Sequence, residues 1–419
     1  MMTGRLPEYV SEAFLPHPPR KMGVAVSGGS DSMALLHLLR EFCELHEIEL
    51  HAVTVNHGLR EEASTEADKV ARHCAEIGVP HDTLVWEDWS GRGNLQKAAR
   101  DARYSKISAW AQQYGISTVA VGHTADDQAE TVLMRLSRRA GVDGLSGIQD
   151  RTVREGITWV RPLLRTRRQT LQTYLEQHHI PWISDPSNDD ERFDRIKARK
   201  ALGVLSDLGI TSDVLAEVAG HLSEARRALD WQTFLAAKHV VRVDAGAIVL
   251  DETGLRLQPD EIQRRLIVRA IMWVSGSDYP PRRAAVANVI GSLRKGQAGT
   301  VDGCHVRRIA ANIWIFREYQ ALRNLSLPTD ELWDGRWRML PLGGAKHAPH
   351  LTVRALGMDG LDQCPDWRAT GRPHVVLQST PSVWDQDVLI AAPLAGCEQN
   401  WQAEIDGGPD TYFAALLSH

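Results

Sequence analysis

Cysteine is scarce in this 419-residue chain, and what there is does not pair. The five cysteines, at 43, 74, 304, 364 and 397, are scattered, odd in number and never spaced as CxxC. That pattern argues against a disulfide framework, a zinc site or an iron–sulfur cluster, and it suits a reducing cytosol. Long apolar runs are missing too. Hydrophobic residues make up 43% of the chain, yet no run approaches the roughly 20 residues of a membrane span. The opening Met1-Met2-Thr3-Gly4-Arg5-Leu6-Pro7 has no signal-peptide hydrophobic region. A cytoplasmic location without a membrane partner is therefore expected. Charge of one sign is not in excess either, since the net charge is −5. Such a balance disfavours a non-specific nucleic-acid binder. The sequence shows no internal repeat and no low-complexity tract.

The length predicts two or three domains. Apolar strand-like runs at 23–28, 50–55, 82–86 and 118–122 alternate with helical patterns at about 31–46, 62–77 and 94–114. This alternation predicts an α/β, Rossmann-like, mostly parallel sheet with helices on both faces, over residues 1–205. A mainly helical domain is expected at 206–324. It includes an amphipathic helix over 260–275, with Ile262, Leu266, Ala270 and Trp273 on one stripe and Arg264 and Arg265 off it. A hairpin is expected over 240–250, and strand-like runs at 304–310 and 312–317. From 325 to 419 proline and glycine become frequent, which reads as a small strand-rich C-terminal domain.

Three segments carry chemistry. Ser27-Gly28-Gly29-Ser30-Asp31-Ser32 follows the first strand and opens a helix. Adjacent glycines and hydroxyls at a helix N-terminus can hold phosphate with backbone N–H groups and the helix dipole. The lysine of a Walker A loop is absent. A plainer alternative is a turn in which Ser30 or Asp31 only caps the helix. The second segment is Gly122-His123-Thr124-Ala125-Asp126-Asp127-Gln128-Ala129-Glu130-Thr131. Asp127 and Glu130 are three apart and share a helix face. Two such carboxylates suit Mg²⁺, or else are favourable acids in a first helical turn. The third is the stretch 135–200, with 14 Lys or Arg against 9 Asp or Glu. Local basicity steers a polyanion to one face, or is a solvated surface. His57 in Asn56-His57-Gly58-Leu59-Arg60 follows the second strand. Arg100 and Arg103 share one face of the 94–114 helix.

SGGSDS resembles the PP-loop of the adenine nucleotide α-hydrolase-like superfamily. The ordered set SGGSDS, NHGLR, NLQKAARDARY, HTADDQAET, RPLL and DPSN is similar to the tRNA(Ile)-lysidine synthetase family. EIQRRLIVRA, YPPRR and DGCHVRR in the middle region extend that likeness over roughly 20–320.

The resemblance implies a ligase that uses ATP and Mg²⁺ to adenylate the 2-carbonyl oxygen of the wobble cytidine in the CAU-anticodon isoleucine tRNA. L-lysine's amine then displaces AMP. Ser27, Gly28, Gly29, Ser30 and Ser32 would form the pyrophosphate cradle. Asp31 and Asp127 would help to hold Mg²⁺, and Glu130 would be a ligand or accept lysine's proton. His57, His123, Arg100 and Arg103 match positions near the nucleotide and the reacting base. Arg161, Asp185, Asn188, Arg195 and Arg199 match later motifs on the side of tRNA and lysine. Arg264, Arg265, Arg282, Arg283, Arg307 and Arg308 are candidate phosphate contacts, with solubility as the alternative. The chain departs from the family at Ile196, where an asparagine is usual, and at Arg139, where a glycine is usual. A tRNA thiolase is the nearest rival, but no cysteine lies in a candidate motif. An amidotransferase lacks its glutaminase residues, and a non-catalytic binder has no need of the paired carboxylates.

Overall fold

The computed structural model describes residues 3–58, 62–86, 95–183 and 194–417. They form two compact units, Met1–Arg227 and Ala228–Ser418. The expected segment 206–324 thus gives its first residues to the first unit. Residues beyond 325 share the second unit with those before them.

In the first unit one sheet is built from β1 (Lys21–Ala25), β2 (Glu49–Asn56), β3 (His81–Val85), β4 (Thr118–Val121), β5 (Arg151–Arg154) and β6 (Ile157–Val160). Their order is β3-β2-β1-β4-β6-β5. Every neighbouring pair is parallel except β5 with β6. The helices are α1 (Leu6–Phe14), α2 (Ser30–His46), α3 (Glu62–Glu76), α4 (Leu95–Gln113), α5 (Ala125–Ser137), α6 (Val142–Leu145), α7 (Arg168–Gln177) and α8 (Asp194–Ser206), and α9 (Ser212–Val240) starts in this unit and ends in the second.

Because successive strand residues face opposite ways, β1, β2, β4 and β6 each serve two cores. Met22 and Val24 of β1 pack with Leu35, Leu36 and Leu39 of α2 and Leu171 of α7. Val53 of β2 and Val119 of β4 pack with Ile107 and Trp110 of α4 in a second cluster. Strand β1 pairs with β2 on one side and β4 on the other, so the chain reverses its winding there. Ligands of such sheets bind at this point, beyond the carboxyl ends of the strands.

The second unit holds a sheet of β7 (Val241–Asp244), β8 (Ala247–Asp251), β9 (Gly299–Val301), β10 (Cys304–Ile309) and β11 (Asn312–Arg317). The order is β7-β8-β11-β10-β9, antiparallel throughout. Helices α10 (Glu252–Arg256), α11 (Asp260–Ser275) and α12 (Arg283–Arg294) accompany it. Two smaller antiparallel sheets follow: β12 (Leu327–Pro328), β14 (Leu351–Ala355), β15 (Pro381–Asp385) and β16 (Val388–Ala391) in one, β13 (Trp337–Pro341) and β17 (Trp401–Ile405) in the other.

Helix α11 buries Ile262, Leu266 and Ala270 as its periodicity predicts. Arg265 corrects the sequence expectation. Its guanidinium is 5% exposed and donates to Asp230 Oδ1 at 2.8 Å and Glu261 Oε1 at 3.0 Å. A buried charge keeps its partners because losing them leaves it uncompensated. Arg265 is therefore a core residue and no phosphate contact. Arg264 pairs with Glu261 at 2.6 Å and Arg308 with Glu252 at 2.7 Å, whereas Arg282, Arg283 and Arg307 are exposed.

Candidate active site

The loop from β1 to α2 is shaped by one glycine. Gly28 has φ +84°, and a Cβ there would meet Ile183 Cδ1 at 2.7 Å. Its carbonyl accepts the Ile183 N–H at 2.8 Å. The serines then organise the turn: Ser27 N–H donates to Ser32 Oγ at 3.1 Å, and Ser32 Oγ–H donates to the Gly29 carbonyl at 3.0 Å. Gly29 occupies the N-cap of α2, and no side chain caps the helix. That finding decides against the plain capping alternative. The first-turn N–H groups have no intrahelical acceptor by helix geometry, and the helix dipole favours an anion there.

Helix α5 is the opposite case. Thr124 at its N-cap and Asp127 form a capping box, in which the Thr124 N–H and Oγ–H both donate to Asp127 Oδ2 at 2.9 Å. Asp126 faces elsewhere: its carboxylate accepts the Arg168 N–H at 2.8 Å and the Ser212 Oγ–H at 3.1 Å. Arg168, the first residue of α7, ties the two ends together. Its Nε donates to Asp31 Oδ2 at 2.9 Å, and its Nη2 lies 3.7 Å from Asp127 Oδ2. The glycine loop and the acidic helix thus converge on one guanidinium.

Burial raises the Asp31 carboxyl, with Arg168 pulling the other way. For Asp127 burial also pushes upward, but His123, Arg168 and the Thr124 donors outweigh it and keep the group low. Glu130 is 1% exposed. Arg199 Nε and Nη2 both reach its Oε1 at 2.9 Å, while its buried Oε2 has no donor among the described residues. Burial raises the Glu130 carboxyl against the pull of Arg199.

A cavity of about 580 Å³ opens at the carboxyl ends of the strands. Ser27, Gly29, Ser30, Asp31 and Ser32 line it from the loop. His57, Arg100, Arg103, His123, Arg168 and Arg199 line it from other elements. Arg103 Nη2 lies 3.0 Å from His57 Nε2. A guanidinium only donates, so Nε2 is the acceptor and the His57 proton is on Nδ1. Burial, aided by Arg103, pushes His57 down to about 4. Burial likewise pushes His123 to about 4, opposed by Asp127 and reinforced by Arg161, Arg100 and Arg195. Both rings are neutral at pH 7.

Several expected residues lie differently. Arg161 does not line the cavity. It is 5% exposed and donates to the Gln149 carbonyl at 2.9 Å and Thr152 Oγ1 at 3.2 Å, because a buried guanidinium after β6 takes the nearest acceptors. Asp127 and Glu130 sit behind the lining, reached through Arg168 and Arg199. Arg195 is exposed on α8, and Arg282 and Arg283 are exposed in the second unit. Asp185 and Asn188 lie outside the described residues. Ile196 is buried, and Arg139 takes φ +57°, the left-handed region that glycine prefers.

Sequence reasoning missed Arg168 and Ile183, and it named Gly122 and Tyr104 only as members of their motifs. Tyr104 lines the cavity, and its hydroxyl is 3.5 Å from both Arg100 Nη2 and Arg161 Nη2. Burial opposes ionisation of the phenol, but these two arginines outweigh it and lower its pKa. The only advance signal was its place in Ala99-Arg100-Asp101-Ala102-Arg103-Tyr104, one turn after Arg100.

Among the described residues no three His, Cys, Asp or Glu side chains are grouped to hold a metal. Asp31 and Asp127 nevertheless offer two carboxylates to one cation, and Glu130 Oε2 lacks a donor. This all-oxygen set fits Mg²⁺, which takes one or two carboxylates and completes its shell with phosphate and water.

Residues 3–205 match the family model described as a PP-loop domain, which makes the first unit a PP-loop ATP-binding domain. Over 414 residues the chain is 48% identical to the tRNA(Ile)-lysidine synthase of Ruegeria pomeroyi, covering 99% of this chain and 98% of that one. The tRNA(Ile)-lysidine synthase of Wolbachia pipientis wMel is 35% identical, with 77% of each chain covered. That of Zymomonas mobilis is 38% identical over 66% of this chain and 82% of its own. The chain belongs to the tRNA(Ile)-lysidine synthase family.

Proposed function

We propose that this chain is an ATP-dependent ligase that converts the wobble cytidine of CAU-anticodon isoleucine tRNA to lysidine in the cytoplasm. The carrying observation is the full-length kinship with lysidine synthases together with a cavity where the uncapped α2 terminus, Asp31 and four arginines meet. Among the described residues no helix is long and apolar enough to cross a membrane.

Two displacements make up the reaction. The 2-carbonyl oxygen of cytosine attacks the α-phosphorus of ATP, and pyrophosphate leaves. Lysine's amine then attacks C2, and the C–O bond breaks with AMP as the leaving group. Charge gathers on the pyrophosphate in the first step, so fixed donors aimed there lower the barrier. The first-turn N–H groups of α2, with Ser27, Ser30 and Arg100, supply those donors. Asp31 and Asp127, with Glu130 behind them, would hold Mg²⁺, which would supply further neutralisation of phosphate charge. Neutral His57 and His123 flank the base without adding charge. Glu130, raised by burial, is suited to take the proton that the attacking amine releases. Arg195 and Arg199 on α8, with Asp185 and Asn188, belong to the tRNA and lysine side, and Arg282 and Arg283 grip tRNA phosphates in the second unit. None of the five cysteines lines the cavity, which disfavours the thiolase alternative.

Purified protein with ATP, Mg²⁺ and labelled lysine tests the reading directly. Label enters CAU-anticodon isoleucine tRNA and not methionine tRNA; label in neither, with ATP still bound, overturns it.

A further inference from the structure

Asp31 and Asp127 come from different helices and are both largely buried, with side chains 17% and 13% exposed. Two carboxylates brought together in a poorly solvated site repel unless a cation sits between them. Here that cation belongs to the protein. Arg168 contacts both carboxylates, through Nε to Asp31 Oδ2 at 2.9 Å and Nη2 to Asp127 Oδ2 at 3.7 Å. Its backbone is fixed as well, since its N–H donates to Asp126 Oδ2 at 2.8 Å. On its other oxygen, Oδ1, Asp31 accepts the Ser30 Oγ–H at 3.1 Å. Arg168 also lines the same cavity as Gly29 and Ser30 of the phosphate loop.

We infer that Arg168 is a resident counter-cation that occupies the carboxylates until nucleotide arrives, so that metal entry depends on nucleotide. The inference rests on the reading of Asp31 and Asp127 as magnesium ligands. A guanidinium has several donors in a planar fork and spans two carboxylates in a way an ammonium does not. A divalent ion entering alone must displace that fork and meets its positive charge at a few ångströms. A polyphosphate entering the loop changes the balance. Its oxygens give Arg168 new acceptors, which frees the carboxylates, and they add ligands for the metal. The residue is thus a positioning residue that couples two binding events.

The test uses Mn²⁺ as probe, with the free-ion resonance signal as readout, on the full chain without tRNA. Without nucleotide, Arg168→Gln binds Mn²⁺ at least about tenfold more tightly than the natural chain, because one positive charge has left a poorly solvated site. The gain disappears in the Asp31→Asn, Arg168→Gln double variant. In the natural chain a non-hydrolysable ATP analogue raises Mn²⁺ affinity by a larger factor than in Arg168→Gln. A folded Arg168→Gln that binds Mn²⁺ no better than the natural chain overturns the inference. If that variant does not fold, Arg168→Lys keeps the charge without the fork and gives a smaller gain; no gain there overturns it equally. Asp31→Asn alone separates the two readings. Loss of nucleotide-dependent Mn²⁺ binding keeps the magnesium assignment, so that a null result at Arg168 removes only this inference. Retained binding removes both.

Discussion

A methyl group on Gly122 would sit 3.0 Å from both the carbonyl carbon and the carbonyl oxygen of Asp31. It would also lie 3.1 Å from the Ser32 Cα. The end of β4 therefore rests directly on the backbone of the first turn of α2, with no flexible side chain to give way. Gly122→Ala must move the phosphate loop or the strand. A cost of about 1–3 kcal/mol is expected in urea unfolding, together with weaker binding of an ATP analogue. Gly203, on the exposed face of α8, has open space within 4 Å of where a methyl would stand and serves as control. Gly203→Ala stabilises by about 0.5–1 kcal/mol and leaves nucleotide binding alone. If Gly122→Ala binds nucleotide like the natural chain, the close approach of β4 does not position the loop.

Glu130 invites a substitution that keeps its shape. Its Oε1 takes both Arg199 donors, while Oε2 is buried with no donor among the described residues. Gln in its place still accepts from Arg199 but takes no proton. If Glu130 is the base for lysine's amine, Glu130→Gln slows lysine transfer by about 10²–10⁴-fold and leaves formation of the adenylated tRNA intact. Single-turnover assays with labelled ATP and labelled lysine separate the two steps. Full lysine transfer by the variant excludes the role.

The sheet, the glycine loop and the acidic helix were legible because they rest on local patterns. Expected strands at 50–55 and 118–122 appear as Glu49–Asn56 and Thr118–Val121, and the expected hairpin at 240–250 is β7 and β8. The β5–β6 hairpin was not anticipated, since Arg151-Thr152-Val153-Arg154 alternates too briefly to stand out. What the pattern could not convey is which partner a long side chain finds. Arg168 reaches Asp31 across 137 positions, and Arg265 reaches Asp230 across 35. Both look like solvated arginines in the sequence. Only the fold shows that each compensates a buried carboxylate. Arg161 illustrates the reverse, a motif arginine whose acceptors prove to be the Gln149 carbonyl and Thr152.

The histidines predict an acid-side loss of stability. His57 and His123 are held down to about 4, chiefly by burial. In the unfolded chain each titrates near its ordinary value of about 6.5. Between those values the unfolded state binds more protons, so stability rises with pH. The contribution is complete above pH 6.5 and is lost as pH falls through 4. A fall on the order of 2 kcal/mol per histidine is expected, allowing for partial exposure. His37, also pushed to about 4 by burial, then by its neighbours, adds to the same slope. The informative quantity is therefore a difference. Urea unfolding of His123→Asn between pH 4 and 7 gives a shallower slope than the natural chain. Equal slopes show that His123 is not neutral in the fold.

The arginines of the second unit divide into two groups that behave differently on mutation. Arg282 and Arg283 are exposed at the start of α12, and neither has a carboxylate partner within 4 Å among the described residues. Arg265 is buried against Asp230 and Glu261. Reversing Arg282 and Arg283 to Glu weakens tRNA binding and lowers the slope of log affinity against log salt by about 1 for each phosphate no longer neutralised. Their reversal leaves urea stability within about 0.5 kcal/mol, as for other surface changes. Arg265→Ala does the converse. It takes from the Asp230 carboxylate, 3% exposed, its 2.8 Å guanidinium partner, leaves Arg269 at 3.9 Å, and destabilises the unit by about 1–3 kcal/mol. Under conditions where it remains folded, its salt slope for tRNA matches the natural chain. A natural salt slope in the Arg282→Glu, Arg283→Glu variant removes these two from the tRNA interface, and a reduced slope in Arg265→Ala contradicts its place in the core.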